Sequence, residues 1–290
     1  MTSVPPPTRP ELPEGAPPPR AAPPPLPPAV PLWVPFVVLA AVVIVIGLIG
    51  VAAIGVLAAV DASVDATNPP DSFTIALTVV QDIVFVLAAW IAVRLVRGGA
   101  GPGDFGLRLV PARRALAWAV GLYIGFWVIA GLLVAIFGSP PEQEIVQELK
   151  RQDAVAVLAG YAVLTCVMAP LAEEFFFRGF MFTTFARRLG PVWATVIVAI
   201  VFGLVHAPGS PLLGVVVLAV FGAALCILYW RLRSIVPGMA LHALHNSISF
   251  AATKGFPGWG LVLLAGAAVG LVLAVAAAVA RPPRAIVARP

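Results

Sequence analysis

The chain is short of charge. Only 11% of its 290 residues are Asp, Glu, Lys or Arg, against 61% hydrophobic residues and a mean hydropathy of +1.02. Soluble globular domains carry about 25% charged residues, so that class is excluded and a polytopic membrane protein is what remains. The only two cysteines, Cys166 and Cys226, both stand inside apolar runs without metal-ligand spacing, which argues against a disulfide framework and for packing as small apolar side chains. No basic patch is interleaved with aromatics, so nucleic acid is not a partner. The net charge of +5 is nearly all arginine, the residue that anchors membrane helices at the cytoplasmic face. The His-Glu-x-x-His signature of ordinary zinc proteases is missing, as are the internal repeats common in transporters. There is no short apolar core with a small-residue cleavage site, so the first apolar run is expected to be an uncleaved span.

What the chain does contain is proline at one end and hydrocarbon in the rest. Residues 1–31 hold close to half of the 30 prolines and little to bury, which predicts a disordered, extended cytoplasmic tail acting as a spacer. A transmembrane domain is expected over 32–285, with eight apolar stretches near 33–60, 72–96, 114–138, 154–186, 191–206, 211–230, 235–253 and 258–280. Each approaches the roughly 20 residues that cross a bilayer. The fold class is therefore all-α, a bundle of about eight membrane helices. The first loop is acidic (Asp61, Asp65, Asp71) and the second basic (Arg94, Arg97, Arg108, Arg113, Arg114). The third is mixed, the fourth holds Arg187 and Arg188, and the fifth has no basic residue. The sixth holds Arg231 and Arg233, the seventh only Lys254, and the tail Arg281, Arg284 and Arg289. Alternate loops are basic, which predicts both termini in the cytoplasm and a location in the cell (inner) membrane.

The fourth stretch is too long for one straight crossing, and Pro170 is expected to kink it, starting a new helix at Leu171. That helix carries Glu173, Glu174 and Arg178 among apolar neighbours. Intramembrane carboxylates usually face a bundle interior or a wet cavity. On helical spacing Glu174 lies one turn from Arg178 and can pair with it, whereas Glu173 points about 100° away and is left available. A purely structural ion-pair cluster is the competing reading. The other polar residues of the spans are few. His206 ends one helix and His242, His245 and Asn246 share another, with His242 and Asn246 on one face. Counting from the nearest basic loop, Glu173, Asn246, His242 and His206 lie at depths of about 21, 20, 14 and 22 Å, close enough for one cavity. Taken singly, His206 reads as an interfacial residue and Asn246 as a helix-to-helix hydrogen bond.

The three motifs Glu173-Glu174-x-x-x-Arg178, Phe202-x-x-x-His206 and His242-x-x-x-Asn246, in this order on consecutive helices, resemble those of the CAAX prenyl endopeptidase and bacteriocin-processing family, also called the Abi family. The likeness covers about 160–250, inside a core expected at 154–253; Phe105-Gly106-Leu107-Arg108 is a further, weaker point of similarity. It implies a membrane-embedded endopeptidase in which Glu173 activates a water, His206 holds that water, and His242 with Asn246 stabilise the oxyanion. Glu174 and Arg178 would then act behind them. The same Glu173, His206 and His242 could bind zinc or another divalent metal carrying the water. The expected partners are the lipid bilayer and a peptide or protein substrate, prenylated or not. A non-catalytic scaffold or a proton-coupled transporter is the rival class. Two decoys are set aside: Gly101-Pro102-Gly103-Asp104 with Asp82 as an aspartyl-protease pair, and Ser210 as a nucleophile. Asp82 is left with a helix-to-helix hydrogen bond as its simplest role.

Overall fold

The computed structural model describes residues 29–66 and 69–280, and all regular structure among them is helical. Most of the proline-rich tail and the arginines after 280 lie outside the described residues. The chain runs through α1 (Val34–Val60), α2 (Asp71–Arg97), α3 (Ala112–Phe137) and a short α4 (Glu144–Arg151). Then comes one long interrupted rod: α5 (Val155–Val163), a π-helical segment Leu164–Met168, α6 (Ala169–Glu173), a second π-helical segment Glu174–Phe182, and α7 (Thr183–Val205). Three helices close the bundle, α8 (Leu212–Leu232), α9 (Val236–Thr253) and α10 (Gly258–Val279). Six helical runs are long and apolar enough to cross a membrane, the fourth being the whole 51-residue rod Val155–Val205. At Gly190 the rod's backbone leaves the helix (φ 78°, ψ 166°), a conformation open to glycine, and Pro191 restarts it. Divided there, and with the 18-residue α9 added, the runs become the eight expected crossings. This is a membrane protein built inside out, with Val51, Leu116, Val192 and Trp259 all exposed on its outer faces.

Two details differ from expectation. No break occurs at Pro170, because Met168 and Ala169 keep helical angles (φ −70°, ψ −50° and φ −57°, ψ −49°). The π-helical turn just before it, in which the Ala169 N–H reaches back to the Leu164 carbonyl, adds a residue to the turn and lets the ring sit in a continuous helix. The third loop, read only as mixed in charge, contains α4. Ile145 and Leu149 stand four apart there, and Leu149 is buried against the bundle while the opposite face is charged.

The helices are stitched differently at the two ends. At one end the Lys254 ammonium donates to the Leu149 and Gln152 carbonyls at the C-terminus of α4, where a cation is favoured, and Gln152 donates to Asp71 at the start of α2. Lys150 pairs with Glu142 and Arg151 with Glu148, and the guanidinium, with Gln152, holds the Glu148 carboxyl below its ordinary value. The cations of this end are thus engaged. At the other end the Phe105–Arg108 stretch is clamped to the α8–α9 turn, since Ile235 N–H donates to the Gly106 carbonyl and Ser234 Oγ to the Arg108 carbonyl. Beside the turn that joins them, α7 and α8 touch backbone to backbone. A Cβ on Gly203 would lie 2.6 Å from the Val215 carbonyl oxygen, so only glycine permits this approach, which carries Phe202 and His206 against α8.

Candidate active site

The interrupted rod is the scaffold of the site. Because the π-helical register advances by five residues, the carbonyl of Thr165 should receive the N–H of residue 170, and proline has none. In a membrane bundle such an orphan carbonyl is expensive, so a side chain must take its place. Asn246 does: its Nδ2 donates to Thr165 O at 2.7 Å. The second π-helical segment, Glu174–Phe182, is buried at all nine residues and is held laterally by Phe105, which stacks on Phe175 at 4.2 Å and on Trp90 at 5.5 Å.

Within that segment the expected pair forms. Arg178 Nη1 donates to Glu174 Oε1 at 2.8 Å, both side chains being at most 1% exposed. Arg178 Nη2 donates to the Gly222 carbonyl at 3.0 Å, and its guanidinium carbon stands 4.5 Å from the centre of the Phe202 ring. Glu174 Oε1 also meets His242 Nδ1 at 3.2 Å. A carboxylate only accepts, so Nδ1 carries the proton and Nε2 is turned to the far side, where Glu173 Oε2 lies 3.9 Å away. That is beyond a direct hydrogen bond. Glu173 Oε2 is buried and has no hydrogen-bond partner, although the side chain as a whole is 18% exposed. Glu174 thus makes both of its contacts through Oε1 and leaves Oε2 buried without a partner, and it is Glu174 that pairs with Arg178, as helical spacing predicted.

The remaining residues reach this centre indirectly. His206 caps α7, half-buried, with Nδ1 on the Phe202 carbonyl at 2.7 Å, which leaves Nε2 as the acceptor nitrogen. Its ring is 4.9 Å from Phe202, whose other neighbours include Arg178, Phe177 at 5.2 Å and His242 at 6.0 Å. Asn246 arrives through Thr165 and keeps its second amide hydrogen and its carbonyl uncommitted. Residues 155–248 match the family described as Type II CAAX prenyl endopeptidase Rce1-like. The Rce1-like match runs from α5 into α9 and includes Glu173, Glu174, Arg178, His206, His242 and Asn246, in agreement with the resemblance of the three motifs. No curated protein and no solved structure matches the chain.

Inside the Rce1-like region the extra histidine is accounted for. His245 turns away from Glu173 into a ring of aromatics, with Nδ1 3.2 Å from the Tyr123 hydroxyl and its ring 4.3 Å from that of Phe221. Among the described residues no three His, Cys, Asp or Glu side chains are placed to hold a metal ion together. Glu173, His206 and His242 therefore do not form such a set as they stand, although His242 keeps Nδ1 on Glu174 and turns Nε2 towards Glu173. Asp104, the first decoy, is a surface residue paired with Arg97 at 2.8 Å and capping Gly101 N–H. Asp82 is 4% exposed, and its buried Oδ2 has no hydrogen-bond partner.

Three contributors were not visible in the sequence. The Gly222 carbonyl and the Thr165 carbonyl are backbone groups with no residue code of their own. Gly238 is different, because it lies one turn before His242 on the face that also carries Asn246, and that spacing could have revealed it. A Cβ there would stand 2.8 Å from Glu174 Oε2, so glycine is what lets α9 approach the carboxylate. The pair makes a stability prediction. Glu174→Gln leaves a buried guanidinium without a counter-charge, which typically costs about 3 to 5 kcal/mol. Thermal melting of the purified protein in detergent should show a large drop; an unchanged midpoint would show that the pair is not holding these helices.

Proposed function

We propose that this chain is a membrane-embedded endopeptidase of the CAAX prenyl endopeptidase type, hydrolysing peptide bonds with a water activated by Glu173. The observation that carries the reading is the pair of adjacent glutamates in unlike states. Glu174 holds both Arg178 and His242 on Oε1, its Oε2 being buried without a partner, while Glu173 is hydrogen-bonded to neither and turns an unpartnered oxygen towards His242 Nε2 inside a family-matched membrane core. A carboxylate oxygen with no hydrogen-bond donor on it is free to take a proton from a water.

In this mechanism a water sits between Glu173 and His206, giving one hydrogen bond to the carboxylate and one to His206 Nε2. Glu173 takes a proton as the water oxygen attacks the scissile carbonyl carbon, forming a tetrahedral oxyanion. His242 through Nε2, when that nitrogen is protonated, and Asn246 through its second amide hydrogen are the candidate donors to that oxyanion. Such donors are commonly worth about 3 kcal/mol each. Collapse breaks the C–N bond and Glu173 returns its proton to the leaving amine, so acid and base are the same group used twice. Glu174, Arg178 and Phe202 act at one remove by fixing the two imidazoles. A zinc ion would be held by Glu173 and by His242 Nε2, with Nδ1 kept on Glu174, and would supply the same water more readily ionised, so cleavage measured with and without a chelator separates the metal-assisted form of the reaction from the metal-free one. The substrate is a peptide or protein at the membrane, prenylated or not, since nothing in this chemistry depends on the lipid. The rival proton-relay reading draws on Asp82 and Glu173, two buried carboxylates with free oxygens, and it demands no cleavage at all.

The orientation proposed is both termini in the cytoplasm of the cell membrane, because the arginine-rich loops gather at one end and the cations of the acidic end are engaged locally. Two measurements test these readings. Cleavage of candidate peptides by Glu173→Gln should fall by at least about 100-fold with melting unchanged, since glutamine keeps the shape but not the proton acceptor. Retention of most of the activity would remove Glu173 from the role of base. Reporter fusions should place residue 65 outside the cytoplasm, and a cytoplasmic signal there would invert the topology.

A further inference from the structure

The basic end of the bundle contains a cavity of about 600 Å³ that the hydrolytic chemistry does not use. It lies between the Gly103–Arg108 turn, the junction of Phe182 with α7, Pro191, and the C-terminus of α8. Three guanidinium groups line it, those of Arg108, Arg187 and Arg233. Among the described residues none of the three pairs with a carboxylate. The one acid on the wall, Asp104, is already held by Arg97 and by the Gly101 N–H, so it does not offset them. Like charges gathered around a hollow repel one another, and they are stable together when an anion fills it.

Arg233 gives a second, independent sign. It is the only non-glycine residue with positive φ among those described (φ 55°, ψ 29°), at the αL position ending α8 where glycine is the unstrained choice. An arginine kept in a disfavoured conformation, with its side chain on the cavity wall, indicates that the side chain is used there. The mouth of the cavity is at the membrane edge, since exposed Leu109, Val192 and Trp193 stand next to or near the lining residues and Trp230 forms part of the wall.

We infer that this cavity binds a phosphate-bearing anion, the headgroup of an acidic phospholipid, with its acyl chains lying along the apolar rim. Basic pockets between membrane helices recognise such headgroups, and guanidinium forks match phosphate oxygens in pairs. The wall also includes Thr183, whose hydroxyl bonds Tyr229 at 2.9 Å immediately after the segment carrying Glu174 and Arg178. A bound headgroup therefore braces the base of the candidate active-site helix.

The test uses the full chain in nanodiscs of phosphatidylcholine, with or without phosphatidylglycerol, read by thermal melting and by native mass spectrometry of the released protein. Phosphatidylglycerol should raise the midpoint by about 5 °C or more and remain bound in native spectra. Arg233→Gly relieves the backbone, so it should melt no lower than the parent in phosphatidylcholine yet lose most of the phosphatidylglycerol shift. Arg187→Gln should lose the shift as well. Inorganic phosphate in phosphatidylcholine discs is the second arm, and a shift of equal size with phosphate alone would assign the site to a free anion. Equal melting in the two lipids without any phosphate effect would overturn the inference, as would a full shift retained by the Arg187→Gln, Arg233→Gly double variant.

Discussion

The buried ion pair of Glu174 and Arg178 is the constraint to which the rest of the bundle answers. A guanidinium with no exposed surface loses its water, and a single carboxylate does not replace all of it. Arg178 therefore takes the Gly222 carbonyl and the face of Phe202 as well, and Glu174 takes His242. Each of these contacts sets a distance between helices. Gly238 must lack a side chain so that α9 reaches the carboxylate, and Gly203 must lack one so that α7 carrying Phe202 meets α8. The charges make the packing, and the packing orients both imidazoles.

The backbone obeys a related rule. Pro170 inside a membrane helix deprives one carbonyl of its donor, the π-helical turn before it selects which carbonyl, and Asn246 from α9 repairs the loss. The same contact that mends the helix fixes the height of α9 against the rod, and with it His242 opposite Glu173. An isolated intramembrane asparagine has two readings, a helix-to-helix bond or a functional amide. Here the first is realised by one hydrogen of Nδ2 and the second is left open by the other.

Much of this was legible in the sequence because the features involved are periodic or costly. The eight crossings follow from the spacing of apolar runs, and the pairing of Glu174 with Arg178 follows from the one helical turn between them. The structure corrected the sequence where the determinant was a backbone group or a choice between similar local geometries. Pro170 signalled a break, but a π-helical turn offered a way to stay helical that residue codes do not announce. α4 escaped notice because only one face of eight residues is apolar. His245 could not be told from His242 by spacing, since both are histidines near one face, and the aromatic cage that removes it is assembled from α3 and α8.

In the proposed mechanism the ion pair does more than hold helices together, because Glu174 also orients His242. Replacing both members with apolar residues of similar size, Glu174→Leu with Arg178→Met, separates the two roles, because removing a buried pair together is often neutral or stabilising where removing one partner is not. The measurement is cleavage rate and melting midpoint on that one double variant. The midpoint should stay near the parent's while cleavage falls by about 100-fold or more, since His242 Nδ1 no longer has its acceptor. A double variant that melts like the parent and still cleaves at the parent's rate would contradict that role for Glu174.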